Sequence, residues 1–321
     1  MKAGSNIQGE TILNAAKRIS PFINRTPVLT SRTINRLFEA EFFMKCENLQ
    51  KVGAFKARGA TNAVLSLDKS LLQVGVATHS SGNHAQALSW AASLVNTKAY
   101  IVMPSNSSKI KVNAVLDYGG LITFCKPTLE SRETTLSEII MQTGATEIHP
   151  YNDDRIIAGQ ATAALELIEE VKNLDILMAP VGGGGLLSGT SLAVHYFSPK
   201  TKVIAAEPEQ ANDAFLSFTK KQFIPSINPN TIADGLRTSL GSLTYPIILR
   251  HVQSIVTVSE ASIIKAMRFI WERMKIVIEP SSAVPFAAIM EGKIEIAGKR
   301  TGIIISGGNV DMEDLPWLKH E

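Results

Sequence analysis

The chain has 321 residues, 45% of them apolar, and its 32 basic and 29 acidic side chains leave a net charge of +3. That is enough apolar material for about two packed domains, while no block of like charge resembles an arm for nucleic acid and no run approaches the ~18 uninterrupted apolar residues of a membrane span. Residues 1–19 lack the apolar core of a secretion signal, and Cys46 and Cys125 stand far apart with no metal-ligand spacing, so the expectation is a cytoplasmic protein with two buried, inert thiols and a small-molecule partner, not a nucleic-acid or membrane partner.

In chain order, residues 41–47 (EFFMKCE) read as a strand, 50–53 as its turn and 54–60 (AFKARGA) as the opening of a helix. Lys56 therefore falls at a helix N-terminus beside the ring of Phe55. The positive end of the helix dipole and partial burial both disfavour an ammonium there and favour an amine able to form a Schiff base. Taken alone, a lysine at this place reads as a solvated surface residue. From residue 72 short β-rich runs alternate with helical ones: 74–79 with 85–94, 99–103 with 109–118, 121–125 with 129–143, then 147–149, 159–172 and 176–181. Such alternation predicts an α/β protein of parallel sheets covered by helices, with ligands gathered at the carboxyl ends of the strands.

Three strand ends carry residues that invite chemistry. His79-Ser80-Ser81-Gly82-Asn83-His84 joins a strand to a helix, where free N–H groups can grip a substrate carboxylate. One serine is accounted for as a helix cap, which leaves the second hydroxyl, the Asn83 amide and two imidazoles. Gly182, Gly183, Gly184 and Gly185 follow the strand 176–181. Each glycine costs chain entropy, and bare amides at a helix start bind phosphate. Glu207, ~20 residues on, would suit a dinucleotide fold, but the third fingerprint position falls on Leu187 or Ser188 instead of Gly or Ala, which makes a nicotinamide enzyme the weaker hypothesis. Finally, the strand 301–305 ends in Ser306. A hydroxyl there can hydrogen-bond a pyridine nitrogen and, unlike a carboxylate, does not hold it protonated, which favours β-elimination or proton exchange. Alone, Ser306 is a turn residue.

Four motifs, GAFKARGA around Lys56, SSGNHAQA from Ser80, GGGGLLSG from Gly182 and SGGNVD from Ser306, stand in the order and spacing that resemble the serine racemase and serine/threonine dehydratase family of the tryptophan-synthase-β fold, from about residue 20 to Asp311. The resemblance implies two parallel-sheet αβα domains of the fold type II class, with pyridoxal 5'-phosphate in the cleft between them. The large domain would be residues 1–70 and 152–321, and the small mobile one 71–151. It implies that Lys56 forms the Schiff base, that Phe55, Asn83, Gly182 to Gly185, Leu186, Glu279 and Ser306 surround the cofactor, and that Ser80, Ser81, His84, Arg132 and Thr238 bind substrate. Lys56 and Ser81 would be the two catalytic groups, one on each face of the substrate. A serine at position 81, where threonine dehydratases commonly have alanine, favours racemase chemistry.

The same resemblance gives a divalent-cation site (Mg²⁺, Mn²⁺ or Ca²⁺) of Glu207, Asp213 and the Ala211 carbonyl, hard oxygen ligands of the type such ions take. It also gives a nucleotide-effector site for ATP of Lys51, Gln86, Tyr118, Lys275 and Asn309, and a homodimer. The activity implied is serine racemisation with accompanying serine or threonine dehydration to a 2-oxo acid and ammonia. The alternatives are a 3-hydroxyaspartate dehydratase or racemase, which would need a cation such as Arg132 or Arg237, and a non-catalytic metabolite sensor. Two departures bear on substrate preference: Ala161 stands where the family usually has Gly, and Ser281-Ser282-Ala283 follows Pro280 where Thr-Gly or Ala-Gly is more usual. His149, His195, His251 and His320 have no partner pattern and are expected to be structural or surface residues.

Overall fold

The structure, a computed structural model, describes residues 6–318; the outermost residues of the expected large domain and His320 lie outside them. The ten strands are β1 Val28–Leu29, β2 Glu41–Cys46, β3 Val76–His79, β4 Ala99–Pro104, β5 Leu121–Cys125, β6 Thr146–Glu147, β7 Ile176–Pro180, β8 Lys202–Pro208, β9 Ser254–Val258 and β10 Arg300–Ile305. They form two sheets. One has six strands in the order β1-β2-β10-β7-β8-β9 and the other four in the order β5-β4-β3-β6. Every pairing is parallel except that of β1 with β2. The α/β class expected from the alternation is therefore the class observed.

Central strands of such sheets are covered on both faces and read as continuous apolar runs. Ile176–Pro180 is buried throughout, and Arg300–Ile305 is buried at all but its first residue. Separate apolar clusters lie on the faces of the large sheet, one around Ile157, Leu177, Leu187 and Ile304 and one around Phe42, Met178, Phe286 and Ile303. A third, around Leu88, Ile101 and Ile156, serves the small sheet. The helix expected over 159–172 starts earlier, at Asp154, because the Asp153 carboxylate accepts the Arg155 amide at 2.8 Å and caps it. The strand expected from residue 74 starts at Val76, since residues 69–74 complete a helix, Lys69–Val74.

The helix Lys56–Leu65 is the element that aims the lysine. A Cβ added to Gly159 of the helix Asp154–Glu170 would lie 2.6 Å from the Gly59 Cα, so the two backbones cross at a distance only glycines allow. Two residues past Lys56, the wholly buried Arg58 donates to Glu47 at 2.6 and 2.8 Å and to Glu166 at 2.8 Å, and buried Lys45 joins Glu166 at 2.6 Å. The segment before Lys56 is tied to the end of β10: the Phe55 amide donates to the Ser306 carbonyl at 2.9 Å, and Ala54 bridges Gly307.

Candidate active site

Lys56 opens its helix with Phe55 at the capping position, and its ammonium sits 5.1 Å from the centre of the Phe55 ring. Nζ donates to the Pro150 carbonyl at 2.8 Å. Burial lowers its pKa to about 8, against a raising influence of the Glu279 carboxylate. The amine is thus chemically available near neutral pH, which a surface lysine is not.

The glycines after β7 line the same space. Val181 and the residues following it are buried, yet the consecutive amides from Gly182 to Leu187 find no acceptor among the described residues. Buried N–H groups are nearly always paired, so a run of them at the start of the helix Gly185–Phe197 is a built anion site. Gly184 adopts φ +86° at the cap, and a Cβ on Gly183 would run into the ring of Tyr151. The cradle therefore has the shape and the donors for the phosphate of a cofactor.

At the end of β3 the helix Asn83–Ser93 is capped by Gly82 and not by a serine. Ser80 accepts the Gly82 amide at 3.3 Å, and the Ser81 hydroxyl has no partner among the described residues. The capping explanation thus fails for Ser81, whose hydroxyl stays unspent. His84 is turned away, with Nε2 3.0 Å from the Ile148 carbonyl. That contact puts the proton on Nε2 and leaves Nδ1 a buried acceptor without a partner. Burial drives the His84 pKa down to about 3. Arg132, in the helix Leu129–Thr143, has a buried Nε without a partner and lowers the pKa of the half-buried His79 after burial has done so. Arg237, by contrast, donates to the Thr231 carbonyl and is exposed.

A polar chain joins the two sheets. Asn83 donates to both Glu279 oxygens at 3.0 and 3.1 Å and accepts from Asn309 at 2.9 Å, while Asn309 also donates to the Val52 carbonyl at 2.8 Å. Glu279 is buried, and burial together with Asp234 raises its pKa to about 7. Lys111 of the helix Lys109–Asp117 pairs with Asp234 at the surface nearby. At the end of β10, Ser306 lies 3.0 Å from the Ser282 hydroxyl.

The remaining expected sites are brought together to different degrees. Glu207 accepts the Ala214 and Phe215 amides at 3.0 and 2.8 Å, and both oxygens of buried Asp213 lack a partner. Burial raises both carboxyl pKa values, Asp213 to about 6. Two buried carboxylates beside the Ala211 turn suit a divalent cation, although no group of three ligating side chains occurs among the described residues. Gln86, Tyr118 and Asn309 line a cavity of about 400 Å³ with Val52, Gly53 and Asp117. Lys51 and Lys275 are exposed and do not line it.

Three residues at the site are not among those the sequence singles out. His149, expected to be structural or on the surface, stands in the site with its ring centre 6.3 Å from that of His79. Its Nδ1 accepts the Asn152 and Tyr151 amides at 2.9 and 3.3 Å, and burial lowers its pKa to about 4. Tyr151 packs edge-on against it at 4.6 Å, covers the glycine cradle and meets the Thr238 hydroxyl. Pro150 supplies the carbonyl to Lys56. Their one signal is position, immediately after a strand carboxyl end. His195 and His251 instead pack on each other, 4.6 Å apart, away from these residues.

A lysine with a lowered pKa, a phosphate cradle and a hydroxyl at the end of β10 define a pyridoxal-phosphate site, and the family model described as pyridoxal-phosphate dependent enzyme matches residues 19–307. The chain belongs to that family. A β-hydroxyaspartate dehydratase from Paracoccus denitrificans is 51% identical over 96% of this chain and 98% of that protein. A serine racemase from Dictyostelium discoideum is 49% identical over 98% of each. The solved structure of maize serine racemase, 42% identical, superposes with a TM-score of 0.94 over 97% of this chain and 96% of that one. The resemblance read from the four motifs and the fold type II architecture are both borne out. Both cysteines are buried and free, and burial pushes the Cys46 thiol up to about 12. Among the described residues no helix is long and apolar enough to cross a membrane.

Proposed function

We propose that the protein racemises serine and also dehydrates serine and threonine to 2-oxo acid and ammonia. Bound pyridoxal phosphate supplies the electron withdrawal that acidifies the substrate Cα–H. Lys56, released when substrate takes its place, removes that proton from one face and assists departure of the β-hydroxyl. Ser81 serves the opposite face. The amides of Gly182 to Gly185 and Leu186 would hold the cofactor phosphate, Phe55 and Asn83 would hold its ring and phenolic oxygen, and Ser306 would meet its ring nitrogen. Ser80, Ser81, the amides at the start of the His84 helix, Arg132 and Thr238 orient the substrate carboxylate. The observation that carries the reading is the unspent Ser81 hydroxyl beside a glycine-capped helix. In Ser81→Ala, formation of D-serine should fall by roughly 10²-fold or more, the size of a lost proton-transfer group, while elimination from L-serine persists. Chromatography resolving the enantiomers reads both, and undiminished D-serine formation removes Ser81 from the mechanism.

A second reading, a 3-hydroxyaspartate dehydratase, is favoured by the buried, unpartnered Arg132 Nε beside His79, a cation for a second carboxylate. The Paracoccus relative carries that activity in its name. Assaying L-serine, D-serine, L-threonine and hydroxyaspartate side by side for 2-oxo acid separates the two. Further parts of the reading rest on the family resemblance. A divalent cation at Glu207, Ala211 and Asp213 is supported by the two buried carboxylates. ATP as effector is supported by the cavity at Gln86, Tyr118 and Asn309. A large unit of 1–70 and 152–321 and a small one of 71–151 follow the division of strands between the sheets. The homodimer and a cytoplasmic home complete it.

A further inference from the structure

The hydroxyl of Ser282 touches that of Ser306. It is fully buried in the helix Pro280–Met290. Its oxygen accepts the Gly307 amide at 2.7 Å, donates to the Gly307 carbonyl at 2.7 Å, and lies 3.0 Å from the Ser306 oxygen. A serine hydroxyl has one hydrogen and two acceptor sites. With its hydrogen on the closer Gly307 carbonyl and one acceptor site on the Gly307 amide, the only thing Ser282 still offers is an acceptor site toward Ser306. The Ser306 hydrogen then points at Ser282, and no other side-chain partner competes for it among the described residues. What Ser306 presents outward is oxygen lone pairs.

We propose that Ser282 turns Ser306 into a hydrogen-bond acceptor, so that a cofactor ring nitrogen set against Ser306 is held in its protonated form. The inference rests on the proposed pairing of Ser306 with the ring nitrogen. It reverses what a lone serine implies, because a free hydroxyl would donate to a neutral nitrogen. A protonated ring withdraws electrons from the substrate Cα more strongly, which favours proton exchange at Cα over direct loss of the β-hydroxyl. Charged and titratable groups facing this corner are Glu279, whose carboxyl would lie 2.9 Å from a Cβ on Gly307, Asp234 and Lys111 beyond it, and Lys56 next to the Phe55 amide that binds the Ser306 carbonyl.

The test is the nitrogen resonance of the holoenzyme loaded with ring-¹⁵N pyridoxal phosphate, followed against pH. Wild type should show the protonated signal at neutral pH. In Ser282→Ala the Ser306 hydrogen loses its acceptor and is free to turn to the neutral nitrogen, so the protonation midpoint should fall by about one pH unit, about tenfold, the size of one hydrogen bond exchanged between the two forms. Ser282→Thr, which keeps the hydroxyl, should restore it. If wild type shows only the neutral signal wherever it stays folded, the proposal fails without recourse to any variant. If Ser282→Ala leaves the midpoint in place while Ser306→Ala moves it, Ser306 keeps its role and Ser282 has no part in the protonation. A midpoint moved only by Glu279→Gln assigns the protonation to the carboxylate and overturns the proposal as well. No response to Ser306→Ala rejects the pairing of Ser306 with the ring nitrogen itself.

Discussion

Replacing Lys56 by methionine should make the cofactor-free protein more stable, and, on the proposed role of Lys56, should abolish the covalent attachment of cofactor. Burial takes the Lys56 pKa from 10.5 to about 8, a fall of about 2.5 pH units. At about 1.4 kcal/mol per unit that is about 3 kcal/mol spent on keeping the ammonium charged inside the fold. Part of the side chain still touches solvent, which makes this an upper bound. Losing the hydrogen bond to the Pro150 carbonyl returns about 1 kcal/mol, and the net gain at neutral pH is about 2 kcal/mol. The sign with pH follows from proton counting. Between about 8 and 10.5 the unfolded chain keeps the proton that the folded chain has shed, so wild-type stability rises with pH there, and the full cost is present below about 8. The advantage of Lys56→Met should therefore shrink as pH rises through that window. Urea unfolding of both cofactor-free proteins across the window measures it. The same pKa leaves about a tenth of Lys56 as free amine at neutral pH, and the rate of cofactor capture should titrate with a midpoint near 8. A capture midpoint near 10.5, or a Lys56→Met variant less stable than wild type at neutral pH, would refute the reasoning.

Arg58→Met should destabilise the fold by about 3–5 kcal/mol, because Glu47 is then left fully buried without its cation; denaturant midpoints read this, and a loss below about 1 kcal/mol would mean the ion network is dispensable. Gly183→Ala forces a Cβ into the Tyr151 ring, and overpacking of about 1–3 kcal/mol should weaken cofactor binding about tenfold. Fluorescence titration with pyridoxal phosphate checks that, and unchanged affinity would show that Tyr151 gives way freely. Millimolar Mg²⁺ or Ca²⁺ should raise thermal stability by preferential binding to the native state. The rise should vanish in Glu207→Ala, and a surviving shift would put the cation elsewhere.

The places of the residues on the cofactor side are legible in the sequence. Lys56, the glycines and Ser306 each follow a strand of the large sheet, so local pattern gives their positions, while the roles proposed for Lys56 and Ser306 come from the resemblance of the four motifs. The helix start at Asp154 and the Gly82 cap escape such a reading because a single side chain or its absence decides them. His149, Pro150 and Tyr151 escape it for a different reason. They reach Lys56 across 94 residues of sequence, through the crossing of helices at Gly59 and Gly159, and no local pattern encodes that meeting. Lys51 and Lys275, carried over from the motif match, are exposed and do not line the cavity of Gln86, Tyr118 and Asn309, so their part in an effector site stays a proposal.

The groups proposed to react come from two sheets. The glycine cradle and Ser306 follow β7 and β10 of the larger sheet, and Lys56 opens the helix after the neighbouring β2, the three strands running in parallel. Ser81 and Asn83 end β3 in the smaller one. Between the sheets stand the Asn83–Glu279–Asn309 chain and the Lys111–Asp234 pair. Glu279, with a pKa near 7, is the one buried group in that bridge whose charge changes within the neutral range. As a carboxylate it accepts both contacts from Asn83; once protonated it keeps one acceptor and must find a partner for its own proton. The bridge is therefore tightest with Glu279 ionised, above its folded pKa. In the holoenzyme Lys56 is tied up in the proposed Schiff base, so Glu279 is left to set this limb. Activity should rise with pH through about 7, and in Glu279→Gln that rise should disappear from the kcat/KM profile. A variant profile that keeps the rise would remove Glu279 from the coupling between the sheets.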